Sequence, residues 1–288
     1  MKFDMHCHTK EGSTDGRVVI EEYIQRLRSM GFGGMMVTDH NSYDGYREWK
    51  NSLKGKEYTD FVVLKGIEYD TLDCGHMLVV MPVGVKLRIL EMRGLPIALL
   101  VKIVHRYGGI IGPAHPYGEK YLSVVTTRER KRKYSRQGNK KLIEQFDFIE
   151  IYNACERDEV NIRAAKLARK YGRPGFGGSD AHKLECIGRG WADLPDTIKN
   201  ENDLIEFVKT KPEIHCGGSF YDNTIRDKLG KWNAVRIDGF FFYNKLGAVS
   251  KLLKRKRELK KLYPEYKETM KGRQEPETPL DMRNMQNL

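Results

Sequence analysis

A chain of 288 residues with 40% hydrophobic and 31% charged residues has a globular composition, and no run approaches the ~18 apolar residues of a membrane span. Its five cysteines, Cys7, Cys74, Cys155, Cys186 and Cys216, are odd in number, scattered and never in a CxxC pair, which argues against a disulfide framework and a cysteine zinc site. The net charge of +12 sits in two stretches: residues 128–141 carry eight Lys/Arg against one Glu and residues 251–262 seven against one, so the rest of the chain sums to −1.

The opening MKFDMHCH lacks the apolar core of a secretion signal, so a cytoplasmic protein is expected. KFDMHCH reads as a first strand, with Phe3, Met5 and Cys7 expected on one face and Asp4, His6 and His8 on the other. RVVIEEYIQRLRSM (17–30) has apolar residues at helical spacing, with Gly31 placed to end the helix, and GGMMVTDH gives strand 2. FVVLKGIEY is strand 3, and HMLVVM (76–81) returns after a short turn as its antiparallel partner. Helical stretches over 86–107 lead to GGIIGPAHP, strand 5. DFIEIYN (147–153) is strand 6, EVNIRAAKLARKYG a helix ending at Gly172, and GRPGFGGSDAH strand 7 with its exit. Beyond residue 183 the pattern weakens to a helix over 200–210, a short strand in EIHCGG and basic helical stretches over 242–272. Apolar strands alternating with helices indicate a mainly parallel α/β sheet or barrel. Residues 1–220 are expected to form it, and 221–288 a basic, mostly helical C-terminal extension.

Six of the eight histidines fall at strand ends: His6, His8, His40, His76, His115 and His182, leaving His105 and His215 outside the pattern. Asp15, Glu68 and Asp180 accompany them. Carboxyl ends of parallel strands converge on one mouth, and His76, opening an antiparallel return, starts at that same end. Two i, i+2 pairs, His6/His8 and Asp180/His182, put both members on one face of a strand or its extension. Nine imidazole and carboxylate donors exceed the needs of one ion and suit zinc, manganese or iron. Clustered ions activate water and neutralise phosphoryl oxygens, which makes phosphate-ester hydrolysis the natural chemistry. Cys7 is expected in the core, Cys74, two residues before His76, is less clearly placed with metal binding its lesser alternative, and Asp4 and Asp39 are placed to orient ligating imidazoles.

The motifs MHCHT, STDG, TDHN, GIE, GHML, HP and GSDAH, in this order over residues 1 to about 183, resemble those of the PHP (polymerase and histidinol phosphatase) family. The resemblance implies a distorted seven-stranded (β/α)7 barrel with a trinuclear centre and phosphoesterase activity. One ion would be held by His6, His8, Glu68 and Asp180, a second by Glu68, His76 and His115, and a third by Asp15, His40 and His182. STDG resembles the aspartate form of a short phosphoesterase branch. In the implied mechanism a hydroxide bridging the first two ions attacks phosphorus while the third ion takes a phosphate oxygen. Glu68 and Asp180 are then the central catalytic ligands, and His182 or His40 acts at the leaving group. Unlike nucleotide-acting relatives, the chain has no room for a helical insertion between Glu68 and His115. Its insertion is the basic segment after His115, in which Arg128, Arg130 and Arg132, together with Asn153 at the mouth, are candidate substrate contacts.

The first functional reading is a phosphatase of small nucleotides or sugar phosphates carrying up to three zinc, manganese or iron ions. The alternative is a nuclease using 128–141 and 251–262 on short RNA or DNA, whose weakness is the shortage of aromatic platforms beside those runs. A binding module that keeps the barrel but not the chemistry predicts ligand loss, and no ligand position is lost. Neither a membrane role nor an oligomeric state is read from the sequence.

Overall fold

The computed structural model describes residues 1–51, 60–118, 123–125 and 141–221. The chain divides into two compact units, Met1–Lys228 and Leu229–Leu288, and every described residue belongs to the first. The expected C-terminal helices, the run 251–262, and Arg128, Arg130 and Arg132 lie outside the described residues.

Among the described residues nine strands run β1 (Lys2–Cys7), β2 (Gly34–Val37), β3 (Val62–Asp70), β4 (His76–Val80), β5 (Ile110–Pro113), β6 (Ile149–Asn153), β7 (Gly175–Gly178), β8 (Gly190–Asp193) and β9 (Cys216–Gly218). The helices are α1 (Ile20–Ser29), α2 (Asp44–Asn51), α3 (Ile97–Arg106), α4 (Asp158–Tyr171) and α5 (Glu201–Lys209). β1 to β3 pair in parallel, β4 returns antiparallel to β3, and β5 is antiparallel to β4, so β5 again points the way of β3. β6 and β7 form a separate parallel pair.

Short links connect the two sheets. Asp147 N–H donates to Ile111 O at 2.8 Å on one side, and Asp180 N–H to His6 O at 2.8 Å on the other. A bridge between Cys7 and Ala181 adds to the second seam. The expected seven-stranded barrel is therefore a curled sheet joined to a two-stranded one. Two strands continue the curled sheet past β1 antiparallel, β8 and then β9; periodicity did not disclose β8, a four-residue GWAD. Likewise α2 had no expectation, because DGYREWKN buries only its Gly45.

β1 to β7 make a ring closed by these seams, and one apolar cluster draws on all seven of its strands or the residues beside them, with Phe3, Met36, Leu64, Leu78, Ile110, Phe148 and Phe176, and takes in Leu204, Ile205 and Val208 of α5. It fills the interior. Two others lie between strands and helices. Cys7, Met35 and Val37 pack under α1, and Val79, Ile111 and Ile149 pack with α3 and α4. α1 buries Ile20, Tyr23, Ile24 and Leu27, the i, i+3, i+4, i+7 stripe of an amphipathic helix. Each such side chain contributes roughly 1.5–3 kcal/mol of burial.

The strict alternation expected for β1 does not hold. Its pairing with β2 shifts register between Asp4 and Cys7, so Phe3 and Met5 pack inside while Cys7 packs outside. An extra residue of this kind re-aims everything after it.

Where β7 passes β1, Gly178 leaves no room for a side chain: a Cβ there would lie 2.4 Å from His6 Cβ and 2.5 Å from His6 N. Gly178→Ala should therefore push the two sheets apart at the His6 seam. Overpacking of this kind costs about 1–3 kcal/mol, a drop of roughly 2–12 °C for a domain of this size. Thermal melting followed by circular dichroism measures it, and an unchanged midpoint would show that the seam is loose.

Candidate metal centre

The strand ends bring all nine expected donors together. His6 and His8 leave β1, His40 follows β2 and bridges to Glu68 on β3, His76 opens β4, His115 follows β5, and Asp180 and His182 follow β7. The loop after β1 carries Asp15 to within 3.4 Å of His182 Nε2 and 3.9 Å of His40 Nε2. At the middle stands Glu68. Its Oε2 lies 3.4 Å from His6 Nε2, 3.2 Å from His8 Nε2 and 3.2 Å from His40 Nδ1. Its Oε1 lies 2.9 Å from His76 Nδ1 and 3.2 Å from His115 Nε2.

These spacings suit a cation. Four donors at tetrahedral corners about 2.0–2.1 Å from a zinc ion stand about 3.3–3.4 Å apart. His6 and His8 face Glu68 at the distances above and Asp180 Oδ1 at 3.6 and 3.2 Å. The buried atoms His6 Nε2 and His8 Nε2 have no hydrogen-bond partner among the described residues, nor does Asp15 Oδ1. Buried polar atoms are rarely left so, and several converging on one space point to an ion as their common partner. Three-donor sets able to hold one are His6/His8/Glu68, Glu68/His76/His115, His8/His40/His182 and His40/Asp70/His76.

Electrostatics agree with the geometry. Burial alone would raise the Glu68 carboxyl, but His40, His76 and His6 hold it well below the usual range. Burial also opposes the ionised form of Asp180 and of Asp15; His6, His8 and His182 together outweigh it at Asp180, and His182, His40 and His8 together at Asp15, so both sit well below the usual range. The imidazoles answer in kind. Burial pulls His6 down, yet Asp180, Glu150 and Glu68 raise it well above the ordinary value. His40 is pushed up to about 10, with burial opposing and Glu68 and Asp15 prevailing. Without ions, protons supply the positive charge that the buried carboxylates need.

A ring of supporting bonds fixes the donors. Glu150 accepts from His6 Nδ1 at 2.8 Å and from the His115 N–H, which turns His6 Nε2 toward Glu68. The Ser13 hydroxyl stands 3.1 Å from His8 Nδ1 and itself donates to Asp39 at 3.0 Å. Asp39 therefore acts on His8 through Ser13, not directly on an imidazole. Asp4 likewise binds no imidazole. It accepts from the backbone N–H and hydroxyl of Ser179, and burial lifts its carboxyl to about 6.

Asn153 needs correction as a substrate contact. It is buried, its amide donating to Asp180 Oδ2 at 3.2 Å and Glu150 Oε2 at 3.3 Å, so it stands behind the donors and not at the mouth. Cys7 lies in an apolar cluster, as expected, and Cys74 lies in another. Sequence reasoning missed Asp70, which reaches His40 Nδ1 at 3.4 Å and His76 Nε2 at 3.5 Å. The available signal was its i, i+2 relation to Glu68, the same spacing that paired His6 with His8.

Residues 4–148 match the PHP domain, and residues 158–210 match the PHP-associated region. No curated protein matches the chain. Among solved structures it is similar to PsfC from Pseudomonas syringae, at 17% identity over 83% of this chain and 98% of that one, with a TM-score of 0.53. A candidate metal-dependent phosphoesterase from Bifidobacterium adolescentis is similar at 15% identity over 73% and 96%, with a TM-score of 0.52. A two-domain protein from Bacteroides vulgatus, containing a predicted PHP-like metal-dependent phosphoesterase, is similar at 14% identity over 76% and 65%, also at 0.52. At such identities the likeness is one of fold.

Ion binding should release protons. His40 keeps its proton below about pH 10 when the site holds no ion, so a cation must displace it, and apparent affinity should rise with pH between about 6 and 8, by up to about tenfold per unit for each proton released. Calorimetric Zn²⁺ titration in two buffers of different ionisation enthalpy measures the release. Affinity independent of pH and buffer would contradict it.

Proposed function

The chain belongs to the PHP domain family, and from that premise we propose that it is a metal-dependent phosphoesterase acting on phosphate monoesters of small molecules such as nucleotides or sugars. The observation that carries the reading is the single buried Glu68 surrounded by five imidazoles at 2.9–3.4 Å. In this reading His6, His8, Glu68 and Asp180 hold one zinc, manganese or iron ion, Glu68, His76 and His115 a second, and Asp15, His40 and His182 a third. Divalent ions bound there lower the pKa of water and offset charge on a phosphoryl group.

The chain's own part follows from burial. The side chains of His6, His8, Glu68 and Asp180 are at most 3% exposed, whereas Asp15, His40 and His182 are 35%, 20% and 21% exposed. Substrate therefore enters on the side of Asp15, His40 and His182, and the buried four meet the reacting group from beneath. Glu150 and Asn153 keep His6 and Asp180 turned toward that group. His182 and His40, at the open lip, are the imidazoles nearest an approaching leaving group. Preorganised groups of this kind act by position, with little rearrangement during reaction.

The test is phosphate release from nucleotides, sugar phosphates and short RNA with Mn²⁺ or Zn²⁺ supplied. Asp180→Ala should cut turnover by more than the roughly 10–100-fold that loss of an outer partner of a ligand already costs. Undiminished release by that variant would sink the proposal. A preference for RNA over mononucleotides that collapses with added salt would instead favour a nuclease, since backbone binding is strongly salt-dependent.

A further inference from the structure

Asp70 lies at the end of β3, two residues beyond Glu68 and directly opposite His76 in the β3–β4 ladder. Opposed residues in an antiparallel pair share a face with their Cβ atoms about 4.5–5.5 Å apart, so the register itself sets Asp70 against His76. One carboxylate oxygen is clamped: Asn41 Nδ2 donates to Oδ2 at 2.8 Å while Asp70 N–H donates to Asn41 Oδ1 at 3.0 Å. Arg93 stands 3.9 Å from the same oxygen. With Oδ2 fixed, Oδ1 is aimed inward, buried and without a hydrogen-bond partner among the described residues.

It faces two ring nitrogens, His40 Nδ1 at 3.4 Å and His76 Nε2 at 3.5 Å. The opposite nitrogens of those rings point to other carboxylates, His40 Nε2 to Asp15 and His76 Nδ1 to Glu68. Each ring therefore has one nitrogen on a candidate ion position and one toward Asp70. His40 Nδ1 also lies 3.2 Å from Glu68 Oε2, a carboxylate that ions would engage, which leaves Asp70 as the acceptor for its proton.

We propose that Asp70 is a positioning residue that joins the second and third ion sites, accepting the His40 Nδ1 and His76 Nε2 protons so that His40 Nε2 and His76 Nδ1 stay unprotonated for ions. The inference rests on the metal-centre reading above. An imidazole binds a metal through one nitrogen, and the hydrogen bond made by the other fixes which nitrogen that is. One carboxylate serving two rings couples the two sites, because turning either ring disturbs the acceptor of the other.

The experiment titrates metal-free wild type and Asp70→Asn with Zn²⁺ against a chromophoric chelator, and records histidine side-chain ¹⁵N shifts of the zinc-saturated proteins. Both should take up the same number of ions at saturation, with two of them bound roughly 10–100-fold more weakly in the variant. In the wild type His40 should carry its proton on Nδ1 and His76 on Nε2. The inference is overturned if the variant binds every ion as tightly as wild type, or if it loses one ion outright, which would make Asp70 a direct ligand. It is overturned too if wild-type His40 carries its proton on Nε2, a result that needs no variant to fold. Wild type that binds no zinc would remove the metal-centre reading itself, an outcome distinct from these.

Discussion

The contact on which the rest of this structure depends is that between the Glu68 carboxylate and the five imidazoles around it. A carboxylate almost wholly withdrawn from water is costly unless it is paired and hydrogen-bonded. Here the compensation comes from the ends of four different strands, β1, β2, β4 and β5, so no local segment can supply it. The barrel must curl far enough to bring His6 and His8 from β1, His76 from β4 and His115 from beyond β5 to one point. Site and fold are consequently one constraint. A chain that opened its seams would expose the apolar interior and also strand an unpaired buried charge.

That constraint explains the polar bonds beneath the mouth. Asp4 ties Ser179, next to Asp180, to the strand that carries His6. Asp39, beside His40, gathers Thr9 and Ser13 and through Ser13 reaches His8. Glu150 joins the end regions of β1, β5 and β6 through His6 and the His115 N–H. Each is a buried carboxylate that accepts from at least one chain segment other than its own, so each cross-links the ring where backbone pairing is sparse. Such groups look like spare acids in the sequence. Their place in space makes them the fasteners of the donor set.

Much of this was legible in the sequence, for identifiable reasons. Strands of the ring declared themselves because they are apolar runs bounded by glycine or turn residues, and α1 and α4 because their buried residues keep helical spacing. The donors were legible because histidine and carboxylate at successive strand ends is a pattern that ordinary packing seldom produces. What failed has one physical source: long-range pairing leaves no local mark. β8 is four residues made a strand by its neighbours β1 and β9, and the face taken by Cys7 is decided by a register shift against β2. Asn153 was placed at the mouth because its strand ends there, yet its side chain turns back to Asp180, which only the spacing between β6 and β7 could settle. Asp70 carries no motif mark, because GIE ends at Glu68 and only the β3–β4 register sets Asp70 against His76.

Most of the irregular backbone among the described residues is gathered at the mouth as well, Lys211 after α5 being the left-handed non-glycine residue that is not. The shift in β1 falls between Asp4 and Cys7, around His6, and a second shift in β6 falls between Glu150 and Tyr152. His115, Asp180 and Asn41 occupy the left-handed region, with φ of 28°, 53° and 49°. Such conformations cost on the order of 1–3 kcal/mol each for residues bearing a side chain and persist only where their surroundings over-determine them. At Asp180 those surroundings can be named. Its N–H donates to His6 O, and its carbonyl accepts from the Tyr221 hydroxyl at 3.0 Å with His182 Nδ1 at 2.9 Å. Regular strands alone would have delivered donors at fixed, alternating positions. The bulges and left-handed turns draw them to the 2.9–3.7 Å spacing that Glu68 and Asp180 share with their histidines, so the distortion of the barrel is the means by which its mouth becomes a cation site.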